Sequence, residues 1–271
     1  MSDVFLNIDE QPKESVSIIS ERLENRSLKG QFYDFTKEYF ALMDFDENSK
    51  ILELGGGTGV IGRNFIEYRN FKGKYVVSDL SKELLNFGEK KAKELELDNY
   101  LHFKQIDAMS KITHDKGSYD TVIMHTLVSH VPNPAVVIEN AKKLLKRNGK
   151  IIIFDADYET LLMASGNKEL DKIVNTAIKE GCVAQPKVMR LIPKIANSLK
   201  LKLIKYKSNL LFEAGSAEFF YGMGKTLSNA VVKSNQLDKK IADEWLKEIE
   251  KAMSESTFFG MCPYITYIYE I

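Results

Sequence analysis

The sequence predicts an α/β protein in which helices cover both faces of a mostly parallel sheet. Between residues 50 and 155, five short runs rich in Val, Ile or aromatic residues alternate with segments whose apolar residues recur three or four positions apart. The runs predict strands at Lys50–Leu54, Lys74–Ser78, Tyr100–Gln105, Thr121–His125 and Lys150–Phe154. The intervening segments predict helices at Val60–Tyr68, Lys82–Glu96 and Pro134–Lys146. Such alternation is typical of parallel strands joined by helical crossovers.

The flanking segments predict further helices and strands. Before the first strand, apolar residues recur at helical spacing from Glu14 to Met43 and are interrupted near Ser27–Gly30, which predicts two helices. After residue 155 the patterns predict helices at Lys168–Glu180, Pro186–Leu199, Ala217–Ser234 and Leu237–Ser254, and strands at Leu201–Phe212 and Pro263–Ile271.

Composition and charge exclude several classes of protein. The chain has 271 residues, of which 44% are hydrophobic and 28% charged, and this is ordinary for a globular protein of one large or two small domains. The 38 basic and 38 acidic residues give a formal net charge of zero. No global positive field is therefore expected to collect nucleic acid or anionic lipid.

The cysteines and the first residues favour a cytoplasmic protein. Cys182 and Cys262 are too few for a disulfide framework and too far apart in sequence for a paired-cysteine zinc site. The segment that begins at Met1 carries acids where a secretory signal needs a basic and an apolar stretch. No window approaches the roughly 18 uninterrupted apolar residues of a membrane span, so we expect no membrane partner.

A glycine-rich loop follows the first strand and opens a helix. Its glycines are Gly55, Gly56, Gly57, Gly59 and Gly62. The last three satisfy the dinucleotide fingerprint, and Asp79 stands at the end of the next strand, where a carboxylate can accept hydrogen bonds from ribose hydroxyls. These residues alone leave open an NAD site, a tight turn without a ligand, or a capping role for Asp79, although Ser81 fits that role equally well.

Five spaced motifs resemble the S-adenosylmethionine-dependent methyltransferases of the seven-stranded Rossmann-like class. The match runs from about Ile51 to Asp155 and, more weakly, to the C-terminus. The motifs are Glu53-Leu-Gly55-Gly-Gly57-Thr-Gly59, Val77-Ser-Asp79-Leu-Ser, Gln105-Ile-Asp107-Ala108, Ser118-Tyr-Asp120-Thr-Val-Ile-Met-His125 and Leu144-Leu-Lys-Arg-Asn-Gly149-Lys-Ile-Ile-Ile. Glu53, the Asp107-Ala108 pair and the final order of strand, helices and strand favour this class over an NAD enzyme.

The resemblance implies a cofactor, a fold and a domain organisation. It implies S-adenosylmethionine as cofactor, bound by Glu53, Gly55, Gly56, Gly57, Gly59, Asp79, Leu80, Asp107, Ala108 and His125. It also implies a doubly wound, mostly parallel seven-stranded sheet whose last strand inserts antiparallel between the fifth and sixth. Residues 1–49 would then form cap helices over the cofactor. Residues 50–271 would form the methyltransferase domain, with helical lid insertions at 158–185 and 213–258.

Two histidines are candidates for a general base. Methyl transfer from a sulfonium depends mainly on alignment and exclusion of water, but an acceptor that loses a proton benefits from a nearby imidazole. His125 ends the fourth strand, at the ligand-binding edge of the sheet. His130 precedes a segment with two prolines, which make the loop rigid enough to hold a side chain in place. For each, the alternative is a structural histidine that lines the pocket.

Two further stretches have alternative interpretations. Asp155 and Asp157 follow the fifth strand and could hold a divalent cation, but two carboxylates without a third ligand are too few to specify a site, so we predict no metal. The segment Phe219–Thr226 contains Gly-Lys-Thr without the earlier glycine of a phosphate loop. Its aromatic residues would either line a pocket for an apolar acceptor or pack in the core.

These observations predict methyl transfer to a small organic molecule. The sequence His125-Thr-Leu-Val128 stands where enzymes that methylate amide or ring nitrogens carry Asn-Pro-Pro-Tyr, so a DNA base is disfavoured. The remaining pattern, including Gln185–Pro193, resembles quinone-biosynthesis C-methyltransferases. The alternatives are a catalytically silent cofactor- or partner-binding module and an NAD-linked oxidoreductase. The acceptor, the methylated atom and the formation of a homodimer are left open.

Overall fold

A computed structural model describes residue 9 and residues 13–28, 30–111 and 115–271. The described residues form nine α-helices: α1 Lys13–Leu28, α2 Gln31–Phe40, α3 Val60–Arg69, α4 Lys82–Glu94, α5 Pro134–Leu144, α6 Lys168–Gly181, α7 Val188–Ser198, α8 Glu218–Lys233 and α9 Lys239–Ser254. They form eight strands: β1 Lys50–Leu54, β2 Lys74–Asp79, β3 Leu101–Gln105, β4 Tyr119–His125, β5 Leu145–Ala156, β6 Leu162–Ala164, β7 Lys202–Gly215 and β8 Phe258–Glu270. Residues 1–8, 10–12 and 29 of the predicted cap lie outside the described residues.

The sheet confirms the predicted fold class. Its strand order is β3-β2-β1-β4-β5-β8-β6, and β7 pairs with β8. The first five strands pair parallel with one another. The last strand, β8, is antiparallel to both β5 and β7, as predicted for the inserted strand of this class. The carboxyl ends of β1, β2, β3 and β4 therefore meet at one edge of the sheet, where open α/β sheets bind ligands.

The short strand β6 is a correction to the prediction. It lies inside the segment 158–185, which was expected to be helical, and it pairs with Phe259–Met261 of β8. Three residues are too short to give a recognisable alternation. The strand exists because β8 extends past the end of β5 and offers further backbone groups to pair with.

The last strand also begins earlier than predicted, at Phe258 rather than at Pro263. A proline inside a strand normally removes a ladder hydrogen bond. Here the β5 pairing ends at Tyr264 and the β6 pairing begins at Met261, so Pro263 lies in the gap between the two partners. The Pro263 carbonyl accepts a hydrogen bond from the backbone N–H of Asp157 on this edge, and the missing N–H costs no ladder bond there.

The sheet is buried on both faces because alternate side chains of its central strands contribute to two separate cores. In β4, Ile123 belongs to one core and Val122 and Met124 to the other. Beyond the sheet, α6, α8 and α9 pack against one another. The Trp245 side chain is fully buried in this helical cluster, and its Nε1 donates to Oδ1 of Asp171 at 2.9 Å.

Candidate functional site

A cavity of about 990 Å³, measured with its open mouth, lies at the carboxyl ends of the parallel strands. It is lined by Leu23, Arg26, Ser27, Glu53, Gly55, Gly56, Gly57, Thr58, Val60, Ile61, Asp79, Leu80, Leu84, Ile106, Asp107, Ala108, Met109, His125, Thr126, Leu127, His130 and Val131. The structure thus brings together every residue predicted for the site except Gly59. A volume of this order suits a small-molecule ligand.

The glycine loop is shaped by left-handed backbone and by close neighbours. Gly57 has φ of 55°, and a Cβ placed there would lie 3.2 Å from Cδ1 of Leu23 in α1. Gly59 does not line the cavity. Its φ of 71° makes it the residue that turns the chain into α3, and a Cβ would lie 2.9 Å from the ring of Phe103. Its role in the structure is therefore to set the loop conformation.

The carboxylate of Asp79 forms a second wall of the cavity, beside the glycine loop. One oxygen accepts from the backbone N–H of Gly57 at 2.8 Å, and the other accepts from Ser81 at 2.9 Å. Burial raises the pKa of this carboxyl, and the backbone hydrogen bonds oppose that shift. Ser81, rather than Asp79, caps α4 by accepting from the Leu84 N–H at 3.2 Å. Asp79 thus keeps further lone pairs for a ligand.

The third wall combines one carboxylate with apolar side chains. Asp107 follows β3, and its carboxylate accepts from the Met109 N–H at 2.8 Å and from Ser110 Oγ at 2.6 Å. The carbonyl of Ala108 accepts from Asn140 Nδ2 at 2.9 Å. Next to this turn lie the apolar side chains of Leu80, Ile106, Met109 and Leu127. Polar acceptors beside an apolar slot suit a flat heterocycle with amino donors.

Glu53 is the most enclosed acid of the cavity. It is only 1% exposed, and Oε2 accepts from the Tyr75 hydroxyl at 3.1 Å. Burial, reinforced by the nearby charge of Asp79, raises the pKa of Glu53 to about 8. A bound cationic group would favour the ionised form of this carboxyl.

Helix α1 forms the roof of the cavity through Leu23, Arg26 and Ser27. The Ser27 carbonyl accepts from Nδ2 of Asn64 in α3 at 2.7 Å, which fixes the end of the roof. Asp9, before α1, accepts from the backbone N–H of Lys82 at 2.8 Å at the start of α4. The sequence did not single out these roof residues. The resemblance placed helices over the cofactor, but amphipathic spacing alone does not say which side chains face a cavity.

Arg26 joins the roof to the end of β4. Its Nη2 donates to Oγ1 of Thr126 at 3.0 Å, its guanidinium lies 5.1 Å from the centre of the Phe32 ring, and its Nε is buried without a partner among the described residues. Thr126 has φ of 51°, an unfavourable conformation for a β-branched residue. Such strain, about 1–3 kcal/mol, is common where backbone contacts a ligand.

His125 lies in the floor of the cavity and is almost fully buried. Its ring stacks on Phe154 with 4.6 Å between centroids, and Nδ1 lies 2.8 Å from the Tyr39 hydroxyl. Among the described residues, Nε2 is buried without a hydrogen-bond partner. Burial, together with the charge of Arg26, lowers the pKa of His125 well below its ordinary value, so the ring is neutral near pH 7.

His130 lies at the wall of the cavity, half-buried, with its ring 6.2 Å from that of Tyr158. The nearby Asp155 is fully buried, and its carboxylate accepts from the backbone and the hydroxyl of Ser129, both at 3.0 Å. Burial raises the pKa of Asp155, and the charge of His130 opposes that shift. Asp157 pairs with Arg190 at 2.8 Å. Both acids thus bind partners within the chain.

The aromatic residues of α8 belong to the core rather than to the cavity wall. Phe220 is fully buried, and Phe219 stacks on Phe32 with 5.9 Å between centroids. Gly224, in the Gly-Lys-Thr sequence, lies inside α8, not in a loop that could hold phosphate. Neither predicted insertion contributes a residue to the lining of the cavity described above.

Comparisons with known proteins agree with this geometry. Residues 45–251 match a family described as a methyltransferase domain. The chain is 27% identical over 110 residues to the ubiquinone/menaquinone biosynthesis C-methyltransferase UbiE of Agrobacterium fabrum, a match that covers 41% of this chain and 42% of that protein. The corresponding protein of Coxiella burnetii is 23% identical over 112 residues, 41% of this chain and 44% of its own length. The match thus spans less than half of each relative.

Solved structures with low sequence identity share the fold. The phosphoethanolamine N-methyltransferase 2 of Haemonchus contortus, solved with phosphomonomethylethanolamine and S-adenosylhomocysteine, has a TM-score of 0.60 at 12% identity, over 100% of this chain and 60% of that one. A geranyl diphosphate methyltransferase has a TM-score of 0.55 at 13% identity, over 88% and 78%. The [4+2]-cyclase SpnF has a TM-score of 0.57 at 13% identity, over 88% and 80%. Within the described residues, no helix combines the length and apolar character needed to cross a bilayer.

Proposed function

The chain belongs to the family of methyltransferase domains, and from this premise and the cavity we propose that it transfers a methyl group from S-adenosylmethionine to a small organic acceptor. The observation that carries the proposal is the set of three carboxylates, Glu53, Asp79 and Asp107, around one cavity behind the glycine loop. The NAD-linked alternative receives no support from the matched family.

The residues of the cavity fit the proposed cofactor. Asp79 retains acceptor capacity for ribose hydroxyls, and Asp107 lies beside the apolar slot that suits an adenine ring. Glu53 is placed to accept from the ammonium group and to favour the cationic ligand. The backbone at Gly57 leaves room for a close approach that a side chain would prevent.

The roof and the floor of the cavity align the bound cofactor with the acceptor. When bound, S-adenosylmethionine supplies an electrophilic methyl group on a sulfonium centre. Helix α1 covers the cavity and is fixed to α3 by Glu24 and to β4 by Arg26, so it holds a ligand and excludes water. Because positive charge disappears during methyl transfer, a water-poor floor at His125, whose ring stacks on the buried Phe154, favours the reaction.

We propose different tasks for the two histidines. His125 has a buried Nε2 without a partner among the described residues, so its ring can orient an acceptor by one hydrogen bond. The low pKa of His125 makes it a weak proton acceptor. His130 is half-buried at the wall of the same cavity, where it can take a proton from an acceptor and pass it to solvent.

Calorimetry tests the cofactor assignment. We expect S-adenosylmethionine and S-adenosylhomocysteine to bind with micromolar dissociation constants, and the double variant Asp79→Ala, Gly57→Val to lose binding. A matched control is Asp98→Ala with Gly222→Ala, because Asp98 is exposed and a Cβ at Gly222 meets no atom within 4 Å. A saturating titration without heat on the wild-type chain would reject the proposal.

Turnover tests whether the domain is catalytic. The purified chain is incubated with methyl-labelled S-adenosylmethionine and a fractionated extract of small metabolites, and label in an organic product is measured. We expect transfer that falls at least about tenfold in His130→Asn, with a changed pH profile. Cofactor binding without any labelled product would instead identify a catalytically silent module.

A further inference from the structure

Two arginines on the roof helix face the interior of the protein without an acidic partner. Arg22 and Arg26 lie one turn apart on α1, and both side chains are partly buried. Among the described residues, neither forms an ion pair with a carboxylate, whereas Arg63 pairs with Glu24 and Arg190 with Asp157. Like charges four positions apart on a helix repel each other, so this arrangement lowers the stability of the ligand-free chain.

The surroundings of the two guanidinium groups are aromatic. Arg26 lies over the Phe32 ring, and its charge acts on Arg22, His125, Tyr158 and Tyr264. The charge of Arg22 is in turn felt by Tyr158. Burial, followed by repulsion from Arg26, lowers the pKa of Arg22 to about 10. Tyr158 and Tyr264 belong to the β5 and β8 side, not to the glycine loop.

Two described acids on that side, Asp155 and Asp157, have partners of their own, although Oδ1 of Asp157 is buried without a hydrogen bond. Both oxygens of Asp155 accept from Ser129, and one also accepts from the Ala156 N–H at 2.8 Å. Asp157 accepts from Nε and Nη2 of Arg190 at 3.0 and 2.8 Å. Glu53 and Asp79 lie toward the glycine loop, where the cationic cofactor is proposed to bind. Among the described residues, none of these carboxylates forms an ion pair with Arg22 or Arg26.

We propose that the methyl acceptor is a small organic oxyanion, a carboxylate or a phosphate monoester, whose charged group binds Arg26, while Arg22, one turn away on α1, adds positive charge. This inference rests on the proposed methyl transfer. Guanidinium groups bind oxyanions by paired, charge-assisted hydrogen bonds, and the buried Nε of Arg26 is a donor that such a group would satisfy. The apolar lining of the cavity, which includes Leu23, Leu127 and Val131, then contacts the apolar body of the acceptor.

The positive charge of the proposed cofactor also favours an anionic acceptor. The guanidinium of Arg26 lines the same cavity and repels a sulfonium bound there, and this repulsion is stronger in a poorly hydrated cavity than in water. An anionic acceptor placed between them removes the repulsion.

Binding of simple aromatic probes tests the inference. Benzoate, phenyl phosphate and the neutral control benzamide are titrated into the full chain saturated with S-adenosylhomocysteine, and heat is measured. We expect one or both anions to bind at least about tenfold more tightly than benzamide, and the benzoate–phosphate order to identify the oxyanion. Arg26→Gln should weaken anion binding at least about tenfold, and Arg22→Gln should weaken it by a smaller factor. Arg147→Gln, at an exposed position, is the matched control.

Thermal unfolding of the ligand-free chain gives an independent readout. We expect Arg22→Met to raise the midpoint, because it removes an unpaired charge that no described residue satisfies, while Arg147→Met leaves it unchanged. If Arg22 stabilised the ligand-free fold, Arg22→Met would lower the unfolding midpoint instead.

Three results would overturn the inference. The first is equal affinity for benzamide and the anions, and the second is anion binding that survives Arg26→Gln. The third is an Arg26→Gln variant that loses binding of S-adenosylhomocysteine but still binds adenosine. That result would assign Arg26 to the carboxylate of the cofactor. Failure of the wild-type chain to bind S-adenosylhomocysteine would instead reject the proposed function, and the anion preference would still be measurable on the ligand-free chain.

Discussion

Glu24 of α1 accepts hydrogen bonds from Nη2 of Arg63 in α3 at both of its carboxylate oxygens, at 2.5 and 2.6 Å. One of these oxygens also accepts from the hydroxyl of Thr58 in the glycine loop at 2.5 Å. The guanidinium of Arg63 in turn donates to the Thr58 carbonyl at 2.8 Å. A single buried ion pair thus fixes the roof, the loop and the first crossover helix to one another.

Replacing Glu24 should loosen the roof. In Glu24→Gln the buried Arg63 loses its counter-charge, and removing one partner of a buried ion pair costs about 3 kcal/mol of unfolding free energy. We expect this loss in urea unfolding, together with about tenfold weaker binding of S-adenosylmethionine, because the roof no longer holds the loop. Glu21→Gln, at an exposed position of the same helix, should change neither quantity. Unchanged cofactor affinity in Glu24→Gln would separate the ion pair from the site.

The imidazole of His125 should stay neutral in the folded chain. Its pKa is lowered by burial, so its contribution to stability is complete above the unfolded value of 6.5 and is lost as the pH falls toward the folded pKa. We expect the ring signals in NMR to remain those of a neutral imidazole from about pH 8 to about pH 5.5. A midpoint near 6.5 would contradict the burial seen here.

The Tyr39 hydroxyl should stabilise the folded chain through its hydrogen bond with His125. Tyr39→Phe leaves Nδ1 of His125 without its partner at 2.8 Å, and an unsatisfied buried polar group costs about 1–3 kcal/mol. We expect this loss of unfolding free energy at pH 7, and a smaller loss in a chain that already carries His125→Leu. Tyr206→Phe is the control, because Tyr206 is 72% exposed. Equal losses in both backgrounds would show that the two groups are not coupled.

Glu53 should make stability depend on pH in the opposite direction. Burial raises the pKa of Glu53 from 4.5 to about 8, so its stabilising contribution is complete below 4.5 and is lost as the pH rises through about 8. Relative to Glu53→Gln, the wild-type chain should therefore lose on the order of a few kcal/mol of unfolding free energy between about pH 5 and pH 9. A constant difference between the two chains across this range would show that Glu53 titrates normally.

The same carboxyl should couple cofactor binding to proton release. If Glu53 accepts from the cationic cofactor, it must ionise on binding at pH 7. Calorimetry of S-adenosylmethionine binding in two buffers of different ionisation enthalpy should then report a net proton released by the wild-type chain and none by Glu53→Gln. Equal apparent enthalpies in both buffers for the wild-type chain would count against this role.

The helical cluster of α6, α8 and α9 should affect stability without affecting the cofactor. Trp245→Phe removes the donor that bonds Asp171 at 2.9 Å and leaves a void, at a cost of about 1–3 kcal/mol. We expect the affinity for S-adenosylmethionine to stay within about twofold of the wild-type value. Phe259→Leu, at a partly exposed position, is the control for the loss of ring area. A large loss of affinity would place this cluster among the lid elements of the site.

The strand alternation and the glycine loop were readable from the sequence because they follow from local rules. Period-2 and period-3.6 patterns predicted the central strands and helices, and the acids near the carboxyl ends of β1, β2 and β3 could be placed at one edge because the strands are parallel. Gly59 could not be separated from Gly57 in this way. Both glycines have left-handed backbone, but only their tertiary neighbours decide which one faces the cavity.

The sequence by itself determined the α/β fold class and the edge of the sheet where the glycine loop and Asp79 lie, because hydrophobic periodicity and chain direction are local properties. Glu53 and Asp107 were singled out by the resemblance to a family, not by periodicity. Only the tertiary structure decided that Arg26 of α1 reaches Thr126, that His125 is buried against Phe154, and that Phe220 packs in the core. These facts depend on contacts between residues far apart in the chain, where the burial and charge of each group are set by neighbours that no local pattern specifies.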